Sequence, residues 1–368
     1  MSNLLGSLFS RREAATVPSM DGVLRPNNRL DEAETLTAIQ QPDNVVTLDG
    51  ALLFSSGNTV FRFPSDHKAG DGPQVLRQFE KPVTALAVSP DGVVAVGIEA
   101  TGIRLVGGAQ DGVLLEAPSG SRRGPTALAF VNADTLAVCI GSAQNEAADW
   151  QRDLMEMRAT GSLWTLGLSS KTAICVADGL AFPNGVIVRG EKLVISESWS
   201  HRLLSFDMKT RKGRPQVILE DLPGYPGRLS EGRNGGAWLS VFAPRSQLIE
   251  FVLRERAYCG RMLREIPKEL WIAPTLRAGT SFREPMQGGA VRVHGIFKPW
   301  APTRSYGLAV ELDRQLRPVR SFHSRADGNR HGITSLCQWR DAMVFSSRGD
   351  HVVGALPVSS DASGDAAR

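Results

Sequence analysis

The chain has 368 residues, 42% hydrophobic and 22% charged, the composition of a core-forming globular protein rather than a disordered one. Lys and Arg exceed Asp and Glu by 42 − 38 = +4, too few and too scattered for a nucleic-acid footprint. No apolar run reaches the roughly 18 residues a transmembrane helix needs.

The first residues carry only short apolar patches (Leu4, Leu5, Leu8, Phe9) ahead of Arg11 and Arg12, the reverse of a secretory signal. Residues 1–36 are therefore expected to be a flexible tail, 359–368 a disordered one, and the cytoplasm the compartment. Cys139, Cys175, Cys259 and Cys337 lie far apart with no metal-binding spacing, which points to free thiols in the fold.

Between the tails, residues 37–358 repeat one pattern: apolar strand, turn, second strand, small-residue gap, third strand. The clearest copy runs Thr84-Ala85-Leu86-Ala87-Val88, the turn Pro90-Asp91-Gly92, Val93-Val94-Ala95-Val96, then Gly102-Ile103-Arg104-Leu105-Val106. In that turn Pro presets φ, Asp binds its own backbone and Gly accepts positive φ. Further copies begin at Asn44-Val45-Val46, Ala127-Leu128-Ala129, Gly185-Val186-Ile187, Arg228-Leu229-Ser230 and Ile333-Thr334-Ser335. The fifth takes Gln247-Leu248-Ile249-Glu250-Phe251 as its third strand, and Ser305 to His323 reads as two more strands about Arg314-Gln315-Leu316. Six copies at roughly 40 to 50 residues predict an all-β, six-bladed β-propeller. Two helical insertions are expected at one end, Asn145 to Arg158 and Leu253 to Leu270, and the Gly- and Pro-rich stretch from Arg277 to Ala301 reads as a loop.

The fourth and fifth copies carry Asp178-Gly179-Leu180-Ala181-Phe182-Pro183-Asn184-Gly185-Val186, then Ser196-Glu197-Ser198-Trp199, then Asp221-Leu222-Pro223-Gly224-Tyr225-Pro226. On these motifs the chain resembles the strictosidine synthase-like family, a branch of the six-bladed calcium-dependent phosphotriesterase and gluconolactonase superfamily. The resemblance covers Gln40 to Pro357 and implies a divalent cation, Ca2+, at the top of the channel, held by Asn, Asp and Glu at the starts of inner strands. Carried over by position, it makes Asp43 and Asn184 the metal ligands and Asn44, Thr126, Asn184 and Arg228 the substrate-binding positions.

The departures matter as much as the matches. Where the family places Asp-Asn after Leu-Pro-Gly-Tyr-Pro, this chain has Gly227 and Arg228. A guanidinium there repels a dication, so Arg228 is expected to replace the metal, pairing with Asp43 or with an anionic ligand group. The glutamate that begins the last inner strand in strictosidine synthase is missing from His331-Gly332-Ile333-Thr334-Ser335, which counts against strictosidine-type condensation.

The expected function is a hydrolase acting on a lactone or ester in the axial channel, with Arg228 stabilising the oxyanion, His331 either the general base or a loop histidine, and Glu197 with His201 either an acid/base pair or, the favoured reading, a blade-stabilising hydrogen bond. The alternatives are a non-catalytic propeller binding an anionic or sugar-derived small molecule, and a protein-interaction platform working through the helical insertions. Either a small molecule or a protein partner is compatible with the pattern; no G-x-S-x-G elbow, phosphate loop or H-E-x-x-H string appears.

Overall fold

The turn Pro90-Asp91-Gly92 does what its residues dictate: Gly92 sits at φ 85°, and the Val93 amide donates to Ser89 Oγ at 2.8 Å, so that Val83–Val88 folds back antiparallel on Val94–Ile98. The same hairpin logic builds the rest. In this computed structural model the described residues are 17–358 apart from 67, 69, 119–122, 211–212 and 278–303, where only the backbone of Arg292–Val293 and Ile296–Phe297 is described. They form six four-stranded antiparallel sheets.

The inner strands, in blade order, are Pro42–Leu48, Val83–Val88, Ala127–Asn132, Pro183–Arg189, Gly224–Glu231 and Ile333–Trp339. Each touches the next and the sixth touches the first, so the predicted six-bladed propeller closes as a ring. The ring is sealed by a strand from the other terminus: Glu34–Ala38 pairs with Val352–Pro357 as the outermost strand of the sixth blade. Leu30, just before it, is fully buried among Trp238, Phe322 and Phe345. Residues 17–36 are thus part of the fold rather than of a tail, while 1–16 and 359–368 lie outside the described residues.

The fifth blade departs from the expected pattern. Gln247-Leu248-Ile249-Glu250-Phe251 is not a strand but the start of helix α2 (Gln247–Arg254), because Ile249, Val252 and Leu253 are buried at helical spacing. The blade takes Gly307–Leu312 and Pro318–Ser324 as its outer strands instead. The first insertion is shorter than expected: a 3-10 turn, Ala147–Asp149, leads into helix α1 (Trp150–Glu156), which ends at Met157 in the left-handed conformation (φ 51°). Helix α3 (Arg256–Glu265) packs against both α1 and α2. Beneath them Trp150, Phe182, Trp199, Tyr225 and Phe242 form an aromatic cluster, with Phe182 stacked on Trp199 at 4.5 Å and Trp150 edge-on to Phe242 at 5.4 Å. The loop expected between Arg277 and Ala301 falls almost wholly outside the described residues. All four cysteines are free, as expected. No helix among the described residues is long and apolar enough to cross a membrane.

Candidate functional site

One local device shapes the channel mouth. In five of the six blades the pairing of inner strand with second strand slips by one residue at the same level: between Asp43 and Val46, Val83 and Ala85, Pro183 and Gly185, Pro226 and Leu229, and Ile333 and Ser335. A bulge leaves one residue outside the ladder and re-aims its side chain. The residues spanned include Thr84, Asn184, Arg228 and Thr334, and all four, with Asp43, line one cavity of about 200 Å³. Thr126, just before the third inner strand, completes the ring. Ala147, Ala148 and Trp150 of the first insertion and Phe182, Phe242 and Leu276 form the rest of the wall, so the insertions stand at the mouth.

Arg228 crosses the channel. Its Nη1 lies 3.1 Å from Asp43 Oδ1 in the first blade and its Nη2 donates to the Thr84 carbonyl in the second at 2.6 Å. Asp43 also faces Arg348, whose Nη1 is 3.6 Å from Oδ2, and Arg348 in turn donates to Gln41 Oε1 at 3.3 Å. The Nε atoms of both arginines are buried without a partner. Burial weakens the hold of Arg228 on its proton, Asp43 opposes this, and the like charge of Arg348 adds to it. Gly227 cannot take over a ligand role: a Cβ there would meet Ser240 Oγ at 2.6 Å.

Calcium does not fit this donor set. The inner strands offer one carboxylate, Asp43, already faced by two guanidiniums, and one amide, Asn184; the cavity adds the Glu99 carboxyl and the Gln41 amide, the latter already accepting from Arg348. Among the described residues no three His, Cys, Asp or Glu side chains converge. A dication beside Arg228 would meet several kcal/mol of repulsion at an effective dielectric of ~20.

The structure disperses the other expected site residues. Asn184 faces the mouth half-buried, and its amide has no partner among the described residues. Thr126 lines the mouth, but its hydroxyl is committed to the Pro183 carbonyl at 2.5 Å, tying the third blade to the fourth. Asn44, at φ 56°, donates to Ser55 Oγ at 2.8 Å and lines the stretch of channel beyond Arg228 rather than the mouth. His331 does not reach the cavity: its nitrogens are taken by Ser305 Oγ and the Arg325 carbonyl, both at 2.8 Å, and burial lowers its pKa. Glu197 is buried away from the mouth, accepting from the Ala181 amide at 2.6 Å and from Arg202 Nε at 2.5 Å. His201 points to Glu250 and to the Gly224 carbonyl, so the expected Glu197–His201 pair does not form. Both positions serve blade joints because the strand ends here at a 3-10 turn, Ser198–Ser200, that carries the two side chains apart.

Sequence reasoning missed Glu99. It follows the second strand of the second blade, lines the mouth, and holds Oε1 buried without a partner. Its pKa is raised, first by burial, then by Glu146; the Ala148 and Ala147 amides oppose this and Asp149 adds to it. Thr84 Oγ1 is likewise buried and unpartnered. The signal for Thr84 and Thr334 was present: stacking the copies on their inner strands puts Thr84, Thr126, Asn184, Arg228 and Thr334 in one column. Glu99 and Arg348 fall outside that column: each directly follows the second strand of its blade, a position that stacking on inner strands does not show.

No family model matches the chain. Over 279 residues it is 25% identical to the adipocyte plasma membrane-associated protein of Rattus norvegicus, covering 67% of this chain and 72% of that one. It is 30% identical to protein strictosidine synthase-like 13 of Arabidopsis thaliana over 90 residues, 24% of this chain and 22% of the relative. Strictosidine synthase-like proteins are among its homologues. A gluconolactonase of Xanthomonas campestris shares the fold of this chain, with a TM-score of 0.57 at 14% identity over 90% of this chain and 91% of that one.

Proposed function

We propose that the protein is a hydrolase of the lactonase or esterase kind that works at the channel mouth with a guanidinium where its superfamily holds a cation. The observation that carries this reading is the sharing of one cavity by the Asp43–Arg228 ion pair and the carboxyl of Glu99, whose Oε1 is buried without a partner. The gluconolactonase with the same fold supports the reaction class.

In this reading the substrate carbonyl sits between Arg228 and Asn184. The Glu99 carboxylate takes a proton from a water, the water oxygen bonds to the carbonyl carbon, and the developing oxyanion is met by the Nε–H of Arg228 and the Asn184 amide. As the tetrahedral species collapses, the C–O bond to the leaving oxygen breaks. Glu99 returns its proton to that oxygen, leaving an alcohol and a carboxylic acid that loses its own proton to solvent. A carboxyl whose pKa is raised by burial is a stronger base and suits a group that both takes and gives a proton. Trp150, Phe182 and Phe242 keep the wall apolar, which strengthens each electrostatic contact.

The test is turnover of a panel of γ- and δ-lactones and aryl esters by the purified chain and by Glu99→Gln. The reading expects hydrolysis by the native chain and a loss of about 10²-fold or more in the variant at unchanged fold. Ligand-dependent stabilisation without turnover of any member would transfer the cavity to the binding alternative.

A further inference from the structure

The charges at the mouth do not balance. Arg228 and Arg348 share the single carboxylate of Asp43, and no other acidic side chain pairs with either guanidinium among the described residues. The neighbouring acids are spoken for: Glu146 pairs with Arg123 at 3.2 Å and Asp149 with Lys268 at 3.1 Å. Glu99 lines the same cavity but pairs with neither guanidinium. One guanidinium therefore has no carboxylate of its own, and two buried Nε–H donors lack an acceptor. Buried donors of this kind are normally satisfied, and a guanidinium is satisfied best by a planar oxyanion. Opposite them the wall is aromatic and aliphatic: Trp150, Phe182, Phe242 and Leu276.

We propose that the mouth is built for an amphipathic organic anion, a carboxylate-bearing molecule whose head group seats on Arg348 while its apolar body lies against Trp150, Phe182 and Phe242. That this anion is also an ester or lactone rests on the hydrolase reading above; that it is an anion does not. Arg348 is the anchor that sets charge preference. It stands nearer the rim than Arg228, with a more exposed side chain (29% against 16%), so an entering anion meets it first. Its recruitment leaves Asp43 still paired with Arg228. Thr84 Oγ1 and Glu99 Oε1, both unpartnered, then face the rest of the ligand and accommodate a hydroxyl or ring oxygen.

The experiment uses two probes of the same shape and different charge, 3-phenylpropionate and 3-phenylpropionamide, titrated calorimetrically and in thermal-shift assays against the full chain. The expected result is that the acid binds at least about tenfold more tightly than the amide, with affinity falling as NaCl is raised. In Arg348→Gln the preference is expected to collapse, and in Arg348→Lys to return in part. Equal binding of acid and amide, or a preference that survives Arg348→Gln in a folded variant, overturns the anion site. The hydrolase reading fails separately: selective acid binding with no turnover of any lactone or ester refutes catalysis and keeps the anion site, whereas turnover that ignores substrate charge does the reverse.

Discussion

The Arg228 guanidinium of the fifth blade lies 3.1 Å from the Asp43 carboxylate of the first, bridging the pore. Both side chains are largely buried, and Arg228 also holds the Thr84 carbonyl of the second blade. One side chain thereby links three blades through the axis, which makes it a structural strut as well as a charged group. Arg228 also lines the cavity on the far side, so it lies between the mouth and the remainder of the channel.

Removing that strut exposes the cost of the buried charge. Arg228→Met leaves Asp43 with the Asn44 amide at 2.8 Å and the longer contact to Arg348, and breaking a buried pair costs about 3–5 kcal/mol. The lower end of that range is expected, read as a shift of the urea midpoint at constant slope. Adding Asp43→Asn to Arg228→Met should recover little of the loss, since it takes the last carboxylate away from the Arg348 guanidinium.

Glu99→Gln should stabilise the protein while silencing it. A carboxyl whose folded pKa is raised binds its proton more tightly in the native state, so native stability falls as pH rises from its ordinary 4.5 through the raised value. Glutamine removes that loss. A higher melting temperature at pH 7 to 8 that converges with the native chain below about pH 4.5 is the expected outcome.

Asn184→Ala should do the opposite of a core mutation. The amide is half-buried and makes no hydrogen bond to be lost, so the melting temperature should barely move. Turnover or ligand affinity should fall by at least about tenfold, roughly one hydrogen bond to a charged group.

A second pH effect comes from the fifth blade's outer strand. His323 is fully buried between Tyr306 Oη and Ser321 Oγ, and burial lowers its pKa from 6.5 to about 4. The unfolded chain therefore takes up this proton first as pH falls, and stability should decline between about 6.5 and 4. Chemical denaturation at pH 7 and pH 5 should show a smaller drop in His323→Gln than in the native chain.

The propeller was legible because its repeats are local: strand, turn and strand recur with their own turn chemistry, and Pro90-Asp91-Gly92 needs nothing from elsewhere to fold back. The closing strand Glu34–Ala38 was not, since its partner lies at the far end of the chain and its own residues are mostly exposed. Gln247–Arg254 misled because Leu248, Ile249 and Phe251 mimic a strand, although only the helical set Ile249, Val252 and Leu253 is buried. At the site, positions fixed by the inner-strand column (Asn184, Arg228, Thr126) were placed from sequence at the mouth they line. Glu197 and His331 were misplaced because adjacency to an inner strand does not say which way a turn carries a side chain, and Glu99 is defined only by the fold around it.

Calcium titration tests the substitution of guanidinium for cation most directly. Calorimetry and melting curves at millimolar Ca2+ should show neither heat nor stabilisation for the native chain. Arg228→Asp, which returns a carboxylate to the ring beside Asp43 and Asn184, should gain a calcium-dependent rise in melting temperature. Tight calcium binding by the native chain, with Arg228 intact, would contradict the account.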